Sequence, residues 1–284
     1  MGSSASLEWP TERTLSGRLA SGSPHRLLRL GVLAAVTFAA LALLAPAQFA
    51  VIALRRRPSR RLALAFHRLL CTALGLKPML HGAPRPAGTT LFVVNHLSWL
   101  DIPALGATLG GAFVAKAEVE RWPVIGTLAG LQPAIFVDRS ARSGARRQAG
   151  AIRQQLAAGT DVILFPEGTS SDGLTVLPFK PALLDAVRGL PGVSVQPVTI
   201  RYSRLGGIPV TRRTRPLLAW FGDMALLPHL RDLAGEGAID VDIHLHRPIP
   251  DDIVDRKRLG EACHRAVSAG YHRRPATALS EELP

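Results

Sequence analysis

The sequence predicts an α/β fold, a mixed sheet covered by helices and preceded by an N-terminal hydrophobic, membrane-anchoring helical segment. Three observations carry this. Short apolar runs bounded by glycine, proline or polar residues alternate with longer stretches at helical spacing. One run, Ile239 to Leu245, alternates apolar residues with Asp240, Asp242 and His244, the period of a strand with one wet face. Leu30 to Leu54 contains no charged residue.

Taken in order, residues 1–24, rich in serine and glycine, read as a disordered tail. Residues 25–80 read as the anchor followed by a basic amphipathic helix. A helix from Leu30 to Leu54 is about 37 Å long, enough to cross roughly 30 Å of hydrocarbon with some tilt. Arg26 and Arg29 precede it, and Arg55, Arg56, Arg57, Arg60 and Arg61 follow it. The denser cluster on the C-terminal side predicts a cell inner (cytoplasmic) membrane location with the remaining chain in the cytoplasm. A cleaved signal peptide fits poorly, because the run is long and charge follows at once. Pro46 leaves a re-entrant segment as the alternative to a span. Arg61 to Leu80 mixes leucines with Arg61, His67, Arg68 and Lys77, as a helix on a membrane surface does. A core helix with solvated charges is the other reading.

Residues 81–272 read as a single domain, and 273–284 as a tail. Strands are predicted at Leu91–Val94, Phe113–Ala115, Ile135–Val137, Val162–Phe165, Val195–Ile200, Leu217–Phe221 and Ile239–Leu245. A helix should begin at or near Asp101, since Pro103 is tolerated only in a first turn. Ala145, Ala149, Ile152 and Leu156 mark another helix, and Ile253 to Tyr271 a closing one.

Composition narrows the partners. Net charge is +13, which favours nucleic acid, anionic lipid or a phosphorylated substrate. Aromatic residues are only 5% and do not interleave with basic patches, so no nucleic acid is expected. Cys71 and Cys263 make neither a disulfide framework nor a metal cluster, which fits a reducing compartment. A bridge between the two stays open.

Polar clusters follow several of the strands. After Val94 the chain reads Asn95-His96-Leu97-Ser98-Trp99-Leu100-Asp101. A turn there can bring His96 and Asp101 together, and a histidine held by a carboxylate at one ring nitrogen presents the other as a base. Helix capping by Asp101 is the plainer reading. After Phe165, Pro166-Glu167-Gly168-Thr169-Ser170 forms a turn whose amides can hold a phosphate or an oxyanion. After Val137 come Asp138 and Arg139, a fork suited to phosphate. Lys116 and Lys180 are further cations. Ligands of open α/β sheets bind at the carboxyl ends of strands, so these groups are candidates for one site.

These segments resemble the glycerolipid acyltransferases typified by bacterial 1-acylglycerol-3-phosphate acyltransferase. Asn95-His96 with Asp101 resembles the NHxxxxD block. Ile135 to Arg139 resembles the second block, Phe165 to Thr169 the third and Val195-Gln196-Pro197-Val198 the fourth. All four fall in family order between about residues 88 and 201. The resemblance implies direct acyl transfer from acyl-CoA or acyl carrier protein to a lysophospholipid, 1-acylglycerol-3-phosphate first, at a membrane surface with anionic lipids. It implies His96 as general base, Asp101 as its orienting partner, and Arg139, Glu167, Gly168, Thr169 and Lys116 as acceptor-binding residues. Asn95 and the fourth block would shape the site, and no metal or cofactor is expected.

Two departures stand out. Gln132-Pro133 replaces the family's glycine before the second block, and Ser170-Ser171-Asp172-Gly173 stands where the family often carries arginine. Trp99, Ser170 to Gly173 and Phe179-Lys180-Pro181 resemble lyso-ornithine lipid acyltransferases, whose acceptor lacks a phosphate. A non-catalytic membrane-binding protein of the same fold is the alternative of another class. A serine hydrolase lacks its G-x-S-x-G elbow here, and a zinc hydrolase its H-E-x-x-H.

Overall fold

The computed structural model describes residues 24–55, 58–120, 125–137, 144–234, 236–250, 253 and 255–272. The two terminal tails, Arg56, Arg57 and Arg139 lie outside them.

The chain opens with α1 (Pro24–Arg55), one helix through Pro46. Its stretch Leu30–Leu54, with mean hydropathy 2.2, is long and apolar enough to cross a bilayer. Phe38, Leu43, Phe49 and Leu54 are exposed along it. Next comes α2 (Arg60–Leu74), started by Ser59 and stopped by Gly75, whose φ of 71° lets its N–H reach Cys71 O and Thr72 O. Ala63, His67 and Cys71, at helical spacing, are its buried residues. The helix is shorter than the sequence suggested. Leu76 to Leu80 belong to β1 (Leu76–Gly82), an exposed edge strand.

An eight-stranded sheet follows, in the spatial order β1-β8-β6-β2-β5-β3-β4, with β7 (Ile208–Pro209) paired to β6. Its strands are β2 (Thr89–Val94), β3 (Ala112–Lys116), β4 (Ala134–Val137), β5 (Val162–Leu164), β6 (Val193–Leu205) and β8 (Ile239–Leu245). From β6 to β4 neighbouring strands are parallel, whereas β8 runs antiparallel to β6. The sheet is therefore mixed, as predicted. Leu91 to Val94 are buried on both faces, as a central parallel strand must be.

One face packs Phe92, Ile163 and Ile200 against α2 and α3 (Asp101–Thr108). The other packs Leu91, Val93 and Leu164 against α6 (Gly144–Ala157), the 3-10 helix Pro181–Val187 and α8 (Arg256–His272). Short helices α4 (Ala117–Glu120) and α5 (Ile125–Gly130) link β3 to β4. Cys71 and Cys263 belong to clusters on opposite faces and are free thiols.

The strand expected at Leu217–Phe221 does not form. Arg215–Leu217 is a 3-10 turn, and Leu218 and Ala219 donate to Arg215 O. Their apolar character serves burial inside a loop, which leads to α7 (Leu226–Leu233).

Candidate active site

The carboxyl ends of β2, β5, β3 and β4 lie side by side, so the polar clusters that follow β2 and β5 share one rim of the sheet with Lys116 at the end of β3. At its centre is the end of β2. Asn95 is buried, and its amide continues the ladder past the last strand pair: Nδ2 donates to Ile200 O and Oδ1 accepts from Ile200 N, both at 2.9 Å. This fixes where β2 stops and aims His96 outward. His96 O in turn accepts from Ser171 N at 2.9 Å, lacing the first block to the segment just after the third.

Within the turn, His96 Nδ1 lies 2.7 Å from Asp101 Oδ2. Oδ2 also accepts from Leu97 N at 2.7 Å and Ser98 N at 3.0 Å. The carboxylate therefore orients the ring and satisfies the amides that start α3. A carboxylate accepts only, so neutral His96 carries its proton on Nδ1 and leaves a lone pair on Nε2. The ring stacks on Phe165 at 4.1 Å and 17°. Asp101 is wholly buried, while the His96 side chain keeps 19% exposure. The geometry leaves Nε2 as the ring nitrogen free of the Asp101 carboxylate.

Glu167 differs from expectation. It is buried, and both oxygens are taken by backbone: Oε1 accepts from His96 N at 2.8 Å, Oε2 from Leu177 N at 3.1 Å. Its side chain thereby braces the turn. Burial, opposed by those two hydrogen bonds, pushes its carboxyl up to about 8. Gly168, at φ 75°, turns the chain back, its N–H donating to Phe165 O, and Thr169 is exposed at the rim. Lys116 closes β3 in register with Val137 of β4, two strands from His96. Arg139, two residues beyond Val137, is not among the described residues. Lys180, a cation the sequence also singled out, has its amide on Pro166 O.

Sequence reasoning missed several contributors. Tyr202, on β6, donates its O–H to Asp101 Oδ1. Trp220 N–H donates to Leu97 O at 2.9 Å, and Ser170 Oγ–H to Trp220 O. Trp99 Nε1–H donates to His229 Nδ1 at 3.0 Å, and His229 Nε2–H to Leu217 O at 3.1 Å. Burial lowers the His229 pKa and keeps that ring neutral. Three of these contacts, Tyr202 with Asp101, Trp220 with Leu97 and Trp99 with His229, join residues more than a hundred positions apart, and no local pattern marks them. The fourth block supports from behind: Gln196 Nε2 donates to Pro84 O and His246 O. Among the described residues no group of three or more His, Cys, Asp or Glu is placed to hold a metal.

Comparison with known proteins identifies the family. The family model described as Acyltransferase matches residues 79–201, the span of all four blocks. Lyso-ornithine lipid O-acyltransferase of Brucella abortus is 40% identical over 260 residues, covering 89% of this chain and 96% of that protein. The 1-acyl-sn-glycerol-3-phosphate acyltransferase of Neisseria gonorrhoeae is 37% identical over 120 residues, 42% of this chain and 47% of that protein. The crystal structure of 1-acyl-sn-glycerophosphate acyltransferase from Thermotoga maritima superposes with a TM-score of 0.58, covering 87% of this chain and 96% of that one. At 23% identity it supports the fold. The chain belongs to the glycerolipid acyltransferase family and is an acyltransferase of lysolipids.

Proposed function

We propose that the chain transfers a fatty acyl group from a thioester, acyl-CoA or acyl carrier protein, to the hydroxyl of lyso-ornithine lipid. The chemistry rests on one observation, His96 held through Nδ1 at 2.7 Å by a buried Asp101. His96 Nε2 takes the proton of the acceptor hydroxyl as its oxygen attacks the thioester carbonyl. The C–S bond breaks, and the imidazolium returns the proton to the leaving thiolate. The acyl group passes directly, with no acyl-enzyme.

Two considerations support this acceptor. The relative that matches almost end to end carries that name, whereas the 1-acylglycerol-3-phosphate enzyme, the acceptor favoured on sequence, matches over less than half its length. The chain also has Ser170-Ser171-Asp172-Gly173 after Thr169, where an arginine is common in the family, and the Asp172 carboxylate accepts from Leu174 N at 2.9 Å. Arg139, Lys116, Gly168 and Thr169 are assigned to the acceptor end of the site, and Glu167 to bracing the His96 amide. The basic residues after α1 support a domain on the cytoplasmic face of the inner membrane.

The test supplies purified protein and His96→Ala with labelled acyl donor and two competing acceptors, lyso-ornithine lipid and lysophosphatidic acid. Labelled ornithine lipid should dominate, and His96→Ala should lose about a hundredfold or more of the rate. Labelling of phosphatidic acid instead would keep the chemistry and overturn the acceptor. Parental rates in His96→Ala would sink the base assignment.

A further inference from the structure

The Asp101 carboxylate receives four hydrogen bonds, and they are unevenly shared. Oδ2 takes three, from His96 Nδ1, Leu97 N and Ser98 N. Oδ1 takes the Tyr202 hydroxyl. We propose that Tyr202 is a positioning residue of the dyad, whose phenol O–H fixes the rotation of the Asp101 carboxylate and, by sharing its charge, sets the basicity of His96. The proposal rests on the acyl-transfer reading only in taking His96 as the base, and not on which lipid is the acceptor.

Three features carry it. The first is the bond itself. An O–H donated to a carboxylate is among the strong hydrogen bonds of proteins, and here both partners are buried, so water does not compete for either. Phenylalanine would fill the same volume, so packing alone does not call for a hydroxyl.

The second is placement. Tyr202 lies on the sheet face shared by Val198 and Ile200, four and two residues before it, and its partner on β8 is Val241. Ile200 is the residue whose N–H and C=O are both held by Asn95, immediately before His96. The strand that delivers the phenol is therefore pinned to the strand that delivers the base. Directly after Tyr202 the β6–β8 register shifts, so the regular pairing reaches as far as the phenol and then breaks.

The third is protonation. Tyr202 must keep its proton to donate, and burial together with the Asp101 charge holds its pKa well above 10. Its role is thus constant across the working pH range, and it touches no substrate, being 3% exposed.

The consequence has a sign. Without the phenol, less of the Asp101 charge is dispersed, and more of it acts on the His96 ring. The free enzyme then takes up a proton at His96 more readily, and the base form is lost at a higher pH. A carboxylate freer to rotate also slows the chemical step, while binding of donor and acceptor is untouched.

Tyr202→Phe, assayed as full-length protein in detergent, should lose about tenfold in kcat with KM for both substrates within about twofold. The acid limb of its kcat/KM profile should move up by about half a pH unit. An acceptor-independent readout separates this proposal from the assignment of the lipid. Diethyl pyrocarbonate modifies an accessible neutral imidazole, and the yield on the His96 peptide can be followed by mass spectrometry across pH. Its midpoint should rise in Tyr202→Phe.

A purely structural tyrosine would change melting temperature and leave that midpoint alone. The chain has two tyrosines. Incorporating 3-fluorotyrosine into Tyr271→Phe therefore labels Tyr202 alone and strengthens its O–H as a donor with almost no change in shape. The midpoint should then fall. Superimposable curves for parent, Tyr202→Phe and the fluorinated protein would overturn the proposal, whichever lipid is acylated.

Discussion

Glu167 shows how one buried side chain can brace the turn that carries His96. Its carboxyl lies behind the turn, and one oxygen takes the His96 amide while the other takes Leu177 N. Deep burial outweighs those two bonds and raises its pKa from 4.5 to about 8. The unfolded chain releases this proton near pH 4.5, while the folded chain holds it to about 8. Between those values the folded state binds more protons, so this contribution to stability is present below pH 4.5 and is lost as pH rises toward 8. Glu167→Gln cannot titrate. Its melting temperature should lie below the parent's at acid pH, because an amide NH2 facing a backbone N–H cannot accept. The gap should then narrow from pH 5 to pH 8. Thermal melts of both proteins in detergent check this, and parallel curves would contradict it. The same variant should also lose activity, since the His96 amide loses a clean acceptor on one side of the turn.

At the scale of elements, α3 carries Asp101 at its first position, so what fixes α3 also fixes the dyad. It packs on α2 through a small-to-large contact. The His67 ring lies against Gly106, and a Cβ added there would sit 2.3 Å from the ring. Phe66 and Phe113 flank that ring at 5.9 Å each, which leaves it little room to move. Gly106→Ala should therefore destabilise by about 1–3 kcal/mol and reduce kcat as Asp101 shifts. His67→Ala added to it should restore part of both, a compensation that melting temperature and kcat report together. His67 is buried with its pKa lowered to about 4, so the unfolded chain takes up its proton near 6.5 and the folded chain does not. The stability of the fold therefore falls, through this group, as pH falls from 6.5 toward 4, while the ring in the folded chain stays neutral.

These elements also show what the sequence could and could not reveal. Strands β2 to β6 and β8 were legible because each buries an unbroken or alternating apolar run. The strand β1 was hidden, since Lys77, Pro78 and His81 sit on an exposed edge where no apolar pattern is required. Leu217 to Phe221 misled for the opposite reason, being apolar to fill a loop. His96 and Asp101 were legible because a short turn joins them. Tyr202, Trp220 and His229 were not, because their partners are set by the order of strands in the sheet and by loops that cross it.

On the scale of the whole molecule, the apolar helix is more than a tether. Gln48, a polar residue inside its hydrophobic stretch, is buried. Its Nε2 donates to Leu131 O at 2.6 Å, and its Oε1 accepts from Ser59 N at 3.0 Å. One amide thus joins α1 to the cap of α2 and to the loop before β4. Leu41 and Leu44 of α1 face Leu62 and Phe66 of α2 across a cavity of about 30 Å³. The loop at Leu131 leads through Gln132 and Pro133 into β4, and Pro133 O accepts from Phe113 N at the start of β3. The two strands that end in Lys116 and run toward Arg139 therefore begin where the anchor helix docks. Gln48→Ala strands the Leu131 carbonyl and the Ser59 amide without their partner, at a cost of about 1–3 kcal/mol, and loosens the root of β4. If α1 only held the protein to lipid, this variant would lose activity on vesicles and keep it on a short-chain, water-soluble acceptor. The docking argues otherwise: activity should fall several-fold on both, with KM for the soluble acceptor raised and membrane association unchanged. Flotation with vesicles measures the association, and kinetics with the soluble acceptor measure the site. A loss confined to vesicles would reduce α1 to an anchor and separate it from the site it adjoins.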